Sequence, residues 1–250
     1  MARPRGHKTP AQEPSGHSSG HTPPGRGIPA RRTPDRVSPR RTPTEPPGLL
    51  LEIRDVTRTV SGLRILARTS LQIHAGTCTV LRGENGSGKT TLLRVLLGLD
   101  APSTGTLRLV PGALERREIS HVIQPPPTFE NLTVAEHLLF VRASWGLPPG
   151  LEPALALLRA FDAERLARHF PDELSSGESQ IFALCLGLAR PARLLVLDEP
   201  EQRLDTGRRS ALADLLRLRL DEGAAVVMAT HAPDLLESVA DEVIDLAAPE

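Results

Sequence analysis

The run Gly83-Glu84-Asn85-Gly86-Ser87-Gly88-Lys89-Thr90 holds the only lysine beyond residue 8 in a chain of 250 residues and 28 arginines. Its glycines allow a tight turn whose successive N–H groups point inward, and the compact lysine ammonium can enter the concavity they form. This is the chemistry of a nest for nucleotide phosphates, with lysine reaching the β- and γ-phosphates. A planar guanidinium is too bulky for such a nest, so lysine is kept here while arginine serves at the other basic positions. Downstream, the apolar run Leu194-Leu195-Val196-Leu197 ends in two adjacent carboxylates, Asp198 and Glu199. With a phosphate nest upstream, Asp198 is placed to hold Mg²⁺ opposite the hydroxyl of Thr90. Glu199 is placed to orient or deprotonate a water for attack on a γ-phosphate. The plainer alternative is two solvated acids at a strand end.

These groups need a scaffold, and the apolar periodicity supplies one. Leu49–Arg54 and Leu63–Ile73 read as strands joined by a turn at Ser61-Gly62, and Cys78–Arg82 as a short strand that ends where the Gly-rich run begins. Lys89–Leu97 reads as a helix, so the nest has the strand–loop–helix context it requires. Ile119–Ile123 is another short strand, followed by Gln124 and three prolines that stop any helix. Residues 134–190 read as mainly helical, with apolar spacing of three and four in Val134–Val141, Leu155–Ala160 and Ile181–Leu188. Strands follow at Leu194–Leu197, at Ala224–Ala229 after a Thr206–Leu220 helix, and at Val243–Leu246. Strands alternating with helices give an α/β fold with a mostly parallel sheet covered on both faces.

The chain is formally neutral, but residues 1–47 hold nine Lys/Arg against three Asp/Glu, together with eleven prolines. Such a segment cannot bury enough apolar surface to offset its ordering entropy, and it reads as a disordered basic tail before an acidic body. It is either an electrostatic contact for anionic lipid or nucleic acid or an inert solvated tail. No apolar core follows the N-terminal charges, as a secretory signal needs, and no run reaches the length of a membrane span. A soluble, cytoplasmic protein is expected. Cys78 and Cys185 stand in apolar surroundings and read as reduced core residues.

With both nucleotide motifs placed, Leu174-Ser175-Ser176-Gly177-Glu178 completes an ordered set, and the chain resembles the ATP-binding-cassette family of ATPases. The resemblance runs from about Leu49 to Leu246. It includes Gln124 at the head of the helical insert, Leu204-Asp205 after the carboxylate pair, and His231 within Ala229-Thr230-His231. It implies a P-loop cassette spanning 48–250, with a mostly parallel core sheet, a small antiparallel β subdomain and a helical subdomain at about 125–190. It also implies the cofactors ATP and Mg²⁺. Gly83, Glu84, Asn85, Gly86, Ser87, Gly88, Lys89, Thr90 and Thr91 would bind nucleotide, and Thr90, Gln124 and Asp198 would serve the metal. Lys89, Gln124, Glu199 and His231 would be catalytic, with His231 on the γ-phosphate. Two cassettes, identical or not, would pack head to tail so that Ser175 and Gly177 of one close over the nucleotide of the other.

Several positions depart from the family pattern. Val60 stands where an aromatic residue usually stacks on adenine, and the chain has no tyrosine at all, so near-equal use of ATP and GTP is expected. Ser176 replaces the first of two glycines, a change tolerated where φ is negative. Glu178 replaces a common glutamine and is expected to point into solvent. Ile181 replaces an arginine, and Glu201-Gln202-Arg203 replaces small residues. The short helical insert, with no second cassette or regulatory domain apparent, resembles the ATP-binding subunit of a membrane transporter. Such a subunit would be peripheral at the inner face of the membrane through its permease, contacted near Gln124–Thr128, with nucleic acid not expected as a partner. The alternatives are a soluble cassette ATPase acting on DNA or ribosomes, and a nucleotide sensor without turnover.

Overall fold

The computed structural model describes residues 48–122 and 125–249, so the basic segment 1–47 and Gln124 lie outside the described residues. Two sheets organise the described residues. Strands β1 (Leu49–Val60), β2 (Leu63–His74) and β4 (Thr104–Leu109) form a three-stranded antiparallel sheet in the order β2-β1-β4. Strands β3 (Cys78–Arg82), β5 (Ile119–Val122), β6 (Leu194–Asp198), β7 (Ala225–Ala229) and β8 (Glu242–Asp245) form a parallel sheet in the order β5-β6-β7-β3-β8.

Leu194–Leu197 of β6 and all of β7 are uninterrupted apolar runs because both faces are covered. Leu194, Val196, Val227 and Ala229 pack towards β1, β2 and helix α1 (Lys89–Leu97), meeting Leu51, Ile53, Leu92 and Leu96. Leu195, Leu197, Val226 and Met228 face the opposite core. That core is built with α2 (Val134–Ser144), α3 (Glu152–Ala160), α4 (Ser176–Leu188) and α5 (Thr206–Asp221), through Leu138, Leu158, Phe182 and Leu216 among others. Cys78 and Cys185 are buried free thiols within it. Helix α6 (Pro233–Val239) precedes the last strand.

The differences from the periodicity reading have local causes. β1 runs six residues beyond Arg54, and it continues through a register shift at Asp55, whose φ of 50° is unusual for a residue with a side chain. The Asp55 N–H donates to Ser70 Oγ at 2.8 Å, which stabilises the irregularity. The shift breaks the alternation that marks a strand. β4 was not anticipated, because Pro102 and Gly105 punctuate its start, yet Thr57 and Thr104 hydroxyls meet across the pair at 2.8 Å.

Among the described helices, α2, α4 and α5 carry a side-chain cap at the N-terminus and α1, α3 and α6 do not. Thr133 and Glu136 form a reciprocal cap on α2, Ser175 and Glu178 on α4, and Asp205 accepts from the Arg208 N–H at the start of α5. α1 begins at Gly88 with φ 94° and no side-chain cap. Its first-turn N–H groups are therefore left for another acceptor.

Candidate active site

The loop between β3 and α1 wraps tightly on itself. Ser87 N–H donates to the Glu84 carbonyl at 3.1 Å, and a Cβ at Gly83 would lie only 2.6 Å from Ser87 Oγ. At Gly88 a Cβ would approach the Ile65 carbonyl to 2.7 Å, so this turn is closed to larger residues. Lys89 is 7% exposed, and its Nζ donates to the Gly83 carbonyl at 2.8 Å and the Glu84 carbonyl at 3.0 Å. Carbonyl partners aim the amine across the loop but bring no negative charge. Ser87 Oγ is buried without a hydrogen-bond partner. An uncapped helix N-terminus, a buried lysine and an orphaned hydroxyl together form a cradle with spare donors, which is what an oligophosphate requires.

The carboxylates at the end of β6 occupy two separate environments. Thr90 Oγ1 donates to Asp198 Oδ2 at 2.7 Å, joining the start of α1 to the neighbouring strand. Burial pushes the Asp198 carboxyl above its ordinary value, and the neighbouring acids Glu199 and Glu201 add to the rise, against the Thr90 hydroxyl and Lys89. A half-buried carboxylate hydrogen-bonded to a hydroxyl fits a hard cation that keeps several waters, as Mg²⁺ does.

Glu199 does not continue the strand. Its φ is 44°, and its N–H donates to the Ala229 carbonyl at 2.9 Å, so the chain turns sharply one residue after Asp198. The turned side chain puts Glu199 Oε1 3.9 Å from His231 Nε2, while Oε2 accepts a hydrogen bond from Gln202 Nε2. His231 is anchored through its main chain, whose N–H donates to Glu201 Oε1 at 2.9 Å. The structure thus brings Lys89, Thr90 and Asp198 together on one side, and Glu199 and His231 together at adjacent strand ends.

Ser175 and Gly177 stand apart, at the N-terminus of α4, where a Cβ on Gly177 would meet the Arg203 carbonyl at 3.2 Å. Glu178 does not point into solvent, which corrects the expectation for that residue. Its Oε2 accepts from the Ser175 N–H at 2.9 Å, and its Oε1 pairs with Arg165 at 2.6 Å. The Ser175 hydroxyl and N–H, with the Arg165 guanidinium, hold its carboxyl down to about 2. Val60 ends β1 with a partly exposed side chain.

Three residues given no role in the sequence reading also shape the site. Gln180 is 2% exposed at the head of the buried apolar run 181–188 of α4, and its Nε2 donates to the Pro200 carbonyl at 2.9 Å, tying α4 to the turn after Glu199. A lone amide on a core-facing helix position was the available signal. Arg209 joins the Leu204 carbonyl at 3.0 Å to Asp234 at 2.9 Å, linking the segment before α5 to the helix after His231. Glu201 was noticed only as an atypical residue.

Comparison with known proteins gives the family and the fold. Residues 66–202 match a family model described as ABC transporter. The chain is 35% identical over 193 residues to the spermidine/putrescine import ATP-binding protein PotA of Nitrosospira multiformis, covering 74% of this chain and 53% of that protein. It is 36% identical over 211 residues to the Fe(3+) ions import ATP-binding protein FbpC of Serratia marcescens, covering 77% and 59%. It is 35% identical over 213 residues to the arabinose import ATP-binding protein AraG 2 of Burkholderia ambifaria, covering 79% and 41%. The chain thus spans about half the length of the curated relatives it matches. Among solved structures, an ATP-binding subunit of an ABC transporter superimposes with a TM-score of 0.70 at 26% identity, covering 80% of this chain and 86% of that one. The dimeric cassette MJ0796 superimposes with a TM-score of 0.68 at 26% identity, covering 79% and 94%.

Proposed function

The chain belongs to the ABC transporter family, and from that premise we propose that it binds and hydrolyses ATP to power a separately encoded membrane transporter. The observation that carries this reading is the joint placement of Lys89 over the Gly-rich loop and of Thr90 against Asp198 at 2.7 Å. The loop N–H groups, Ser87 Oγ and Lys89 bind the phosphates. Thr90 and Asp198 hold Mg²⁺, which neutralises phosphate charge when bound. Glu199 Oε1 accepts a proton from the attacking water, and His231 orients the γ-phosphate from the facing strand end. Gln124 is assigned a part in sensing the metal and water.

Turnover needs a second cassette. Ser175 and Gly177 stand at the N-terminus of α4, a different helix from the one that follows the phosphate loop, and such donors suit the phosphate of a nucleotide held by a partner copy. A dimeric arrangement is recorded for MJ0796, which supports the same assembly here. Closing two cassettes around ATP favours one orientation of a permease, and loss of the γ-phosphate lets the dimer reopen. The import role named for the three relatives supports uptake as the direction. No helix among the described residues is long and apolar enough to cross a membrane. The import subunits among the relatives support attachment through the permease, at the inner face of the membrane. The exposed Phe129, just beyond the three prolines, and Phe140 of α2 meet edge to face with ring centroids 5.3 Å apart and offer a surface for it.

The test is to express tagged Glu199→Gln in its host, trap it with ATP and Mg²⁺, solubilise the membranes and identify what copurifies. Recovery of a polytopic membrane protein supports the transporter reading. Recovery of only a second copy, or of ribosomes or DNA-bound proteins, refutes it in favour of a soluble cassette ATPase.

A further inference from the structure

Glu201 and Gln202 occupy positions where the family resemblance led to small side chains, and each finds a partner at the hydrolytic centre. Gln202 Nε2 donates to Glu199 Oε2, and Glu201 Oε1 accepts the His231 main-chain N–H at 2.9 Å. Two consecutive residues therefore hold the two groups, Glu199 and His231, whose facing atoms stand 3.9 Å apart.

The backbone explains how one short turn reaches both. Gln202 N–H donates to the Glu199 carbonyl at 3.1 Å and Leu204 N–H to the Glu201 carbonyl at 3.1 Å, while Glu199 and Arg203 take φ of 44° and 62°. This winding folds Gln202 back over Glu199 and sends Glu201 across to the end of β7. The buried amide of Gln180 fixes the turn from below through the Pro200 carbonyl at 2.9 Å.

A free glutamate at a strand end samples several rotamers, and each one lost on ordering costs entropy at the moment of reaction. Anchoring Oε2 restricts the carboxylate to orientations that present Oε1 towards His231. Fixing the His231 main chain sets the other side of the same gap. We propose that Glu201 and Gln202 are positioning residues for hydrolysis, a two-residue brace that pre-sets the Glu199–His231 pair. This rests on the proposed roles of Glu199 and His231. The substitutions that distinguish this chain from the family pattern thereby support turnover.

The experiment is steady-state phosphate release by the full chain with ATP and Mg²⁺, alongside thermal melting. Gln202→Ala is expected to lower kcat about ten- to hundred-fold, with KM for ATP and the melting temperature little changed. Glu201→Ala is expected to do the same, and Glu201→Gln, which keeps an acceptor oxygen for the His231 N–H, to restore most of the rate. In a Glu199→Gln background, Gln202→Ala should remove nothing further. Wild-type kcat in both alanine variants overturns the brace while leaving the hydrolytic reading intact, as does an equal loss with and without Glu199. Full turnover by Glu199→Gln alone overturns the hydrolytic reading and the brace with it.

Discussion

Thr90 Oγ1 and Asp198 Oδ2 meet at 2.7 Å across 108 residues of sequence. The contact joins the first turn of the helix that follows the phosphate loop to the last residue of strand β6, next to the sheet's central strand β7. Each partner has a hard oxygen, and the carboxylate is already partly withdrawn from water. The chain bears a desolvation cost here that a divalent cation would offset.

That cost has a pH signature. Burial raises the folded-state Asp198 carboxyl above its ordinary 3.8. The stability it confers is full below 3.8 and is lost as pH rises through the raised folded value. At neutral pH the nucleotide-free protein therefore carries a strained carboxylate. Asp198→Asn, which keeps an acceptor for Thr90, should melt no lower than wild type at pH 7 in calorimetry. The same variant should lose the tightening of ATP binding by Mg²⁺.

Lys89 lies folded over the loop on the Gly83 and Glu84 carbonyls. Replacing it by arginine keeps the charge but not the fit. Lys89→Arg should weaken ATP binding by roughly ten- to hundred-fold in titration calorimetry, with an unchanged circular-dichroism spectrum.

Glu178 shows the opposite titration from Asp198. Its carboxyl is held down from 4.5 to about 2 by the Ser175 hydroxyl and N–H and by Arg165. The stability it supplies is present above 4.5 and is lost as pH falls through about 2. Glu178→Gln retains an acceptor for the Ser175 N–H and loses the ion pair with a largely exposed arginine. It should cost no more than about 1 kcal/mol at neutral pH, and acid titration of its melting temperature should converge on wild type.

Val60, partly exposed at the end of β1, provides no aromatic face for a purine. Stacking on a base is worth roughly 1–3 kcal/mol, and its absence removes a means of telling adenine from guanine. ATP and GTP should bind within about 30-fold of one another, equivalent to about 2 kcal/mol, in competition against a fluorescent nucleotide. A Val60→Tyr variant should tighten both.

The site was most legible where chemistry restricts residue type. A phosphate nest admits lysine and glycine and little else, so Lys89, Thr90 and Asp198 could be placed from their neighbours alone. The parallel sheet was legible because strands buried on both faces become uninterrupted apolar runs such as Leu194–Leu197. The antiparallel sheet was less so, since the shift at Asp55 inverts the alternation midway along β1. The partners of polar side chains were hidden altogether. Whether Glu178 would face water or Arg165, and whether Glu201 would hang free or hold His231, depends on segments that meet only after folding.

Glu199 is proposed to activate water for ATP hydrolysis between two cassettes. This role is tested most directly by phosphate release from wild type and Glu199→Gln, with oligomeric state followed in parallel by light scattering. Wild type should release phosphate at a rate that rises with protein concentration. Glu199→Gln should fall by at least about a hundred-fold and accumulate as an ATP-bound dimer. Equal rates for the two proteins, or turnover that is independent of protein concentration in a monomer, would contradict the account.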